Sequence, residues 1–326
     1  MPLVRQILVA VKDPEAKSLP AVTKAAQLAR AWNARLELFH AIDVPIPAAL
    51  FGVPGGSPQE IESAWRNRVT RQLEEIAATL RRRGLRVSTA AEWDHPVYEA
   101  IIRRAVQIRA GLIVAERHSG RYVAPWLLHV TDWELLRLSP VPVLIVKDAR
   151  PYRRPTVLAA VDPIRAGGKP DRLDEAILRL GSAVADALHG RLHAVHARPP
   201  LPLGIPPSDL LPPETLMQAE SLAAQQAEAA FDRLATRFDL PPARRHLVDR
   251  APAEAIGDVA RRIGCAIVVM GAVSRSGLER TFFGNTAERV LPRLACDLLI
   301  VKPPRFECRI PTEPRGARLP VGAPLP

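Results

Sequence analysis

Short apolar runs rich in Val, Ile and Leu recur along the chain, and each is followed by a longer stretch in which apolar residues return every three or four positions. The first pattern predicts buried strands and the second predicts helices with one apolar face. Their alternation points to βαβ units and a mainly parallel sheet covered by helices. Strands are predicted near residues 4–11, 35–41, 85–91, 111–115 and 142–147, with helices near 18–32, 59–83, 96–109 and 131–138. Strands near 156–161, 191–196, 244–249, 265–270 and 297–302, separated by comparable helices, repeat the order.

The repeat extends to the residues themselves. Gly111-Leu112-Ile113-Val114 falls on Ala266-Ile267-Val268-Val269, and Val143 to Lys147 falls on Leu298 to Lys302, both at an offset of 155. Pro96 to Ile101 falls on Ala251 to Ile256 at the same offset, and the opening Ile7 to Pro14 resembles Val157 to Pro163. Two copies of one unit are therefore expected, at 1–148 and 156–303, joined by a short charged linker at 149–155. Residues 304–326, rich in Pro and Arg and without hydrophobic period, are expected to form a disordered tail. After its second strand each copy carries a proline-rich connection, Val44 to Pro58 and Arg198 to Pro213, suited to a loop that lids a cleft. The last strand of each copy, Val143–Val146 and Leu298–Val301, is continuously apolar and needs cover. Pairing the two inside one chain would make an intramolecular pseudo-dimer, and leaves room for a higher homo-oligomer.

Composition narrows the classes. With 326 residues, 48% hydrophobic and 24% charged, the chain is globular and large enough for two cores. Its start meets Asp13 and Pro14 before a signal-type apolar segment develops, so a cytoplasmic protein without a membrane partner is expected. Cys265, Cys296 and Cys308 form no C-x-x-C pair and are expected to remain thiols. The net charge of +11 would attract polyanions, but its tightest run, Arg81-Arg82-Arg83, ends a predicted helix, where cations complement the dipole; nucleic acid is not the expected partner.

Chemistry concentrates in the second copy. Val268 to Gly277 runs from a strand into a small-residue loop, and Gly284-Asn285-Thr286-Ala287-Glu288 opens the last helix. Ligands of parallel sheets bind at the C-terminal strand ends, and glycines with free helix amides suit an anion, although Gly271 and Gly284 can equally serve plain turns. Asn285 and Glu288 have the spacing of a capping box. The loop from Gly271 to Thr286, the following Ala287-Glu288-Arg289-Val290-Leu291 and the closing Cys296 to Lys302 resemble the signature of the universal stress protein family, with Thr131 to Leu136 and Pro140 to Val143 placing both copies in its tandem type.

That resemblance implies two tandem Rossmann-like domains of adenine nucleotide alpha hydrolase-like type, each a five-stranded parallel sheet with helices on both faces. It implies a stress-response protein that is not an enzyme and acts as a ligand-tuned scaffold or regulator. The residues it assigns to the second-copy ligand are Asp162, Val195, His196, Gly271, Ser274, Gly277, Gly284, Asn285 and Thr286, with ATP, AMP or another small molecule as the occupant. Where nucleotide-binding members carry a second glycine and a hydroxyl residue, this chain has Ser274 and Asn285, which weakens phosphate anchoring. The alternatives are a nucleotide-binding or slowly ATP-hydrolysing protein using that loop, and a basic nucleic-acid-binding module. In the first copy the corresponding positions are Glu116, Ser119 and His129, and Glu116 with Asp132 would repel a phosphate.

Other constellations carry less. No Gly-Lys-Ser/Thr phosphate loop is present. His193 and His196, three apart on a strand, face opposite ways and cannot readily share a metal. His118 and His129 read as a polar cluster with Glu116 and Asp132, and Ser274 and Ser276 lack a neighbouring base.

Overall fold

The computed structural model describes residues 4–44, 57–117, 130–164, 172–198, 213–272, 285–303 and 306–316. The chain divides into two compact units, Met1–Tyr152 with Phe306–Pro326, and Arg153–Arg305.

Unit 1 runs β1 (Gln6–Ala10), α1 (Pro20–Trp32), β2 (Arg35–Ile42), α2 (Pro58–Arg82), β3 (Val87–Trp93), α3 (Val97–Gln107), β4 (Leu112–Glu116), α4 (Val130–Leu138) and β5 (Val143–Val146). Its strands lie in the order β3-β2-β1-β4-β5, all parallel, with Val9 of β1 opposite Leu38 on one side and Val114 on the other. Ile7, Leu8 and Val9 are fully buried, which explains why the central strand reads as an unbroken apolar run rather than an alternation. Because β2 and β4 leave β1 in opposite directions, a crevice opens at the C-terminal end of β1.

Local signals set the helices. The apolar face of α1 is Ala21, Val22, Ala25, Leu28 and Ala29, and the helix stops at Asn33, whose φ of 53° leaves the right-handed region. Ser57 caps α2: its hydroxyl accepts from the Glu60 amide at 3.2 Å while the Glu60 carboxylate accepts from the Ser57 amide at 3.1 Å. The basic run at the end of α2 is structural, since Arg81 bridges Glu74 and the Val87 carbonyl. Tyr152, at the end of unit 1, is buried against α1: it exchanges two hydrogen bonds with Gln27, at 2.9 and 3.0 Å, and Lys24 Nζ lies 4.6 Å from its ring centre.

Unit 2 repeats the design with β6 (Thr156–Val161), α5 (Leu173–Ala187), β7 (Arg191–Ala197), α6 (Pro213–Thr236), β8 (Arg245–Val248), α7 (Pro252–Arg262), β9 (Cys265–Gly271), α8 (Asn285–Val290) and β10 (Asp297–Val301). The order β10-β9-β6-β7-β8 is again wholly parallel. Each unit is therefore the five-stranded α/β domain expected. The turn from α5 into β7 is tight: Gly190 donates to Ala185 O at 2.7 Å, and Arg191 donates to Pro155 O at 3.0 Å. Cys265 and Cys296 are free thiols, and a hydrogen bond with Cys296, reinforced by burial, raises the pKa of the Cys265 thiol.

The disordered tail expected over 304–326 is corrected for Phe306–Gly316. The Arg315 guanidinium is paired with Glu99 and two successive tail amides reach Asp94, so charge complementarity orders a segment that lacks any hydrophobic period. Among the described residues, no helix is long and apolar enough to cross a membrane.

Candidate functional site

In unit 2 the C-terminal strand ends bring together three of the residues singled out in the sequence. Asp162 follows β6, His196 lies opposite Val161 on β7, and Gly271 ends β9 on the other side of β6. The His196 ring is 2% exposed, with Nδ1 at 3.2 Å from Val161 O and 3.9 Å from Asp162 Oδ1. Asp162 is half-exposed, and its backbone amide donates to Asp174 in the first turn of α5 at 3.0 Å. Val195 is buried together with its neighbours Ala194 and His196, as expected of a strand covered on both faces. Thr286 is in the first turn of α8 and Asn285 begins that helix, whereas Ser274, Gly277 and Gly284 lie outside the described residues. Gly271 has a packing reason of its own: a Cβ there would stand 2.7 Å from Leu173 Cδ2.

Unit 1 holds a cavity of about 100 Å3 in its crevice at the ends of β1, β2 and β4. This is somewhat less than the roughly 150 Å3 of an apolar cavity that accommodates benzene, so the crevice holds a small group at its base and opens outward. Its polar lining is Lys12, His40, Glu116 and Asp132. Glu116 Oε1 accepts from the Ala21 amide in the first turn of α1 at 3.4 Å, and Asp132 is buried in the first turn of α4, both carboxylates on helix N-terminal partial charge. The structure thus places the two acids expected to repel phosphate on the wall of one cavity. His118, Ser119 and His129 fall outside the described residues.

His40 was not singled out from the sequence. Its Nδ1 lies 2.7 Å from the carbonyl of Val11, as His196 Nδ1 lies beside that of Val161. Burial holds His40 below the ordinary imidazole pKa, against weaker opposing effects of the Val11 carbonyl and Asp13, so the ring is neutral near pH 7. The signal was present as a repeated His-Ala at the end of the second strand, His40-Ala41 and His196-Ala197.

His193 points away from His196 and meets His246 on β8, with Nδ1 and Nε2 3.0 Å apart and ring planes 4° from parallel. Burial, then the facing imidazole, lower the pKa of His193 to about 4. The unfolded chain, with the ordinary value of 6.5, binds the proton first, so this contribution to stability is complete above pH ~6.5 and lost as pH falls towards ~4. A thermal-melt series from pH 7.5 to 4.5 is expected to show unit 2 weakening over that window, with a shallower slope in His193→Asn; equal slopes would refute the assignment. Among the described residues no group of three or more His, Cys, Asp or Glu is placed to hold a metal.

Comparison with known proteins fits this geometry. The chain is 27% identical over 311 residues to Universal stress protein E of Escherichia coli K12, an alignment covering 93% of this chain and 95% of the relative. It is 28% identical over 212 residues to the Universal stress protein E homolog of Haemophilus influenzae, covering 65% and 68%. A putative universal stress protein of Pseudomonas aeruginosa UCBPP-PA14 superposes with a TM-score of 0.71 at 26% identity, covering 93% of this chain and 95% of that one. The profile described as Universal stress protein family matches twice, over residues 4–147 and 154–302. With both repeats matched and both sheets wound in the same order, the chain belongs to the universal stress protein family as a tandem of two such domains.

Proposed function

We propose that the protein is a non-enzymatic, cytoplasmic stress-response regulator whose state is set by small-molecule occupancy of its clefts, the unit 1 crevice taking a neutral or cationic group. The observation that carries this reading is the cavity lined by Glu116 and Asp132 together with a neutral His40. Two carboxylates in a confined space favour hydrogen-bond donors and cations and oppose a polyphosphate. A ligand that binds the folded form alone stabilises it in proportion to its concentration over Kd, which is sufficient for a ligand-dependent change in what partners meet.

A second reading, nucleotide binding in unit 2, is favoured by the convergence of Asp162, His196 and Gly271 at adjoining strand ends. Calorimetric titration with ATP separates the two units. At most one site per chain is expected, weakened about tenfold by Asp162→Ala and unchanged by Glu116→Gln. Two equivalent sites would overturn the assignment of unit 1. Mass spectrometry of molecules released from freshly purified protein identifies the occupant; a phosphorylated compound lost on Glu116→Gln would count against the reading.

A further inference from the structure

We propose that unit 1 carries a recognition site for an Arg-Gly peptide segment, and that the chain's own Arg315-Gly316 fills it as a latch on α3. Four residues at the β3–α3 junction read this dipeptide. Asp94 Oδ1 accepts from the backbone amides of both Arg315 and Gly316, at 2.8 and 3.2 Å. His95 Nδ1 meets the Gly316 carbonyl at 2.9 Å. Glu99 takes the Arg315 guanidinium with both oxygens, at 2.9 and 2.8 Å. Arg103, ion-paired with Asp94, donates through Nε to the Pro311 carbonyl at 3.0 Å and so holds the segment upstream.

Chemistry makes this a site rather than a chance contact. Asp94 is fully buried and Glu99 is 4% exposed, while Arg103 is the cation of α3 that reaches them. Two carboxylates against one guanidinium leave one buried negative charge, and Arg315 neutralises it through a bidentate pair, the strong geometry for Arg with carboxylate. Gly316 has φ of +76°, which a side chain strains, so the requirement is for glycine after arginine and not for positive charge alone. Unit 2 is an internal control. At the offset of 155 the same positions are Asp249, Glu254 and Asp258. There Asp249 is 63% exposed on Arg198, Glu254 is exposed, and Asp258 pairs with Arg250 and Arg261. The receptor with its central arginine is thus specific to unit 1.

The latch bears on the cavity. Val97 and Ile101, on either side of Glu99 along α3, form part of the cavity wall. Release of Arg315 frees the first turn of α3 to move, and with it that wall. Tail docking and ligand occupancy of unit 1 are therefore linked.

Hydrogen exchange on the full-length chain tests the latch, because two of the amides it protects belong to Arg315 and Gly316. Arg315→Glu is expected to speed exchange at both amides and in the first turn of α3 by at least about tenfold, and Gly316→Ala by about fivefold. A labelled peptide of residues 309–318 is expected to bind the Arg315→Glu chain and not the wild type, whose site is filled at high effective concentration. Reversing the pair with Glu99→Arg in the Arg315→Glu chain is expected to restore protection. If that variant does not fold, Gly316→Ala and the peptide titration decide the matter alone. Equal exchange in wild type and Arg315→Glu, or equal peptide binding by both, overturns the proposal. Protection that rises with protein concentration would place the tail on a second copy and overturn the occupant assigned here.

Discussion

Arg104→Ala is expected to destabilise unit 1 by about 2–4 kcal/mol and lower its melting temperature by roughly 5–12 °C. Glu37 sits within β2, 5% exposed, and its Oε1 and Oε2 accept from Arg104 Nε and Nη2 at 2.6 and 3.2 Å, with Ser88 Oγ donating at 3.2 Å. Truncation removes the cation and leaves the carboxylate in the sheet, the costly half of breaking a buried pair. Because the Arg104 side chain is 21% exposed, the loss falls below that of a fully buried pair. Calorimetry of three variants checks this. Arg68→Ala, which breaks the exposed Arg68–Glu15 pair, should leave the melting temperature close to that of the wild type. Replacing both Glu37 and Arg104 by leucine should recover most of what Arg104→Ala loses. Equal costs for Arg104→Ala and Arg68→Ala would show that the Glu37 carboxylate finds solvent without its partner.

Gly190→Ala is the second large effect, about 3 kcal/mol in unit 2 and roughly 6–12 °C in its transition. A Cβ at Gly190 would stand 2.1 Å from the Pro155 carbonyl oxygen, a backbone atom that is already the acceptor for Arg191. Relief requires moving either the start of β6 or the turn into β7, and both are tied into the sheet. Gly271→Ala provides the contrast. Its nearest neighbour, Leu173 Cδ2 at 2.7 Å, is the tip of a side chain that can rotate, so the cost is expected near 1 kcal/mol. A Gly190→Ala protein that melts with the wild type would mean that the turn relaxes freely.

Much of this architecture was legible before any coordinates. Apolar runs such as Leu112 to Ala115 and Leu298 to Val301 are too short for helices and too continuous for half-exposed strands, which leaves a two-sided parallel sheet. The 155 offset then doubles the prediction, and the structure returns the same winding in both units. The capping box of Ser57 and Glu60 at the start of α2 was not singled out from the sequence, although the helix itself was expected near 59–83. Glu37 and His246 were not legible, because each acquires its role from a partner across the fold, Arg104 and His193; His40 left a signal in the repeated His-Ala, but its buried contact with Val11 appears only in the structure. The tail was misread for the same reason. Phe306–Gly316 has the composition of a disordered segment, and nothing local in Arg315-Gly316 announces a carboxylate pair more than 200 residues earlier.

What the sequence determined by itself was the period, the duplication and the family, since alternating strand and helix patterns, internal repeats and loop signatures are properties of neighbours along the chain. What only the tertiary structure decided was which polar groups are buried and what they face. Desolvation and pairing depend on distances across the sheet. Those distances put Glu116 and Asp132 on one cavity wall, kept His40 neutral, and closed Asp94 and Glu99 under the arginine of a tail that looked structureless.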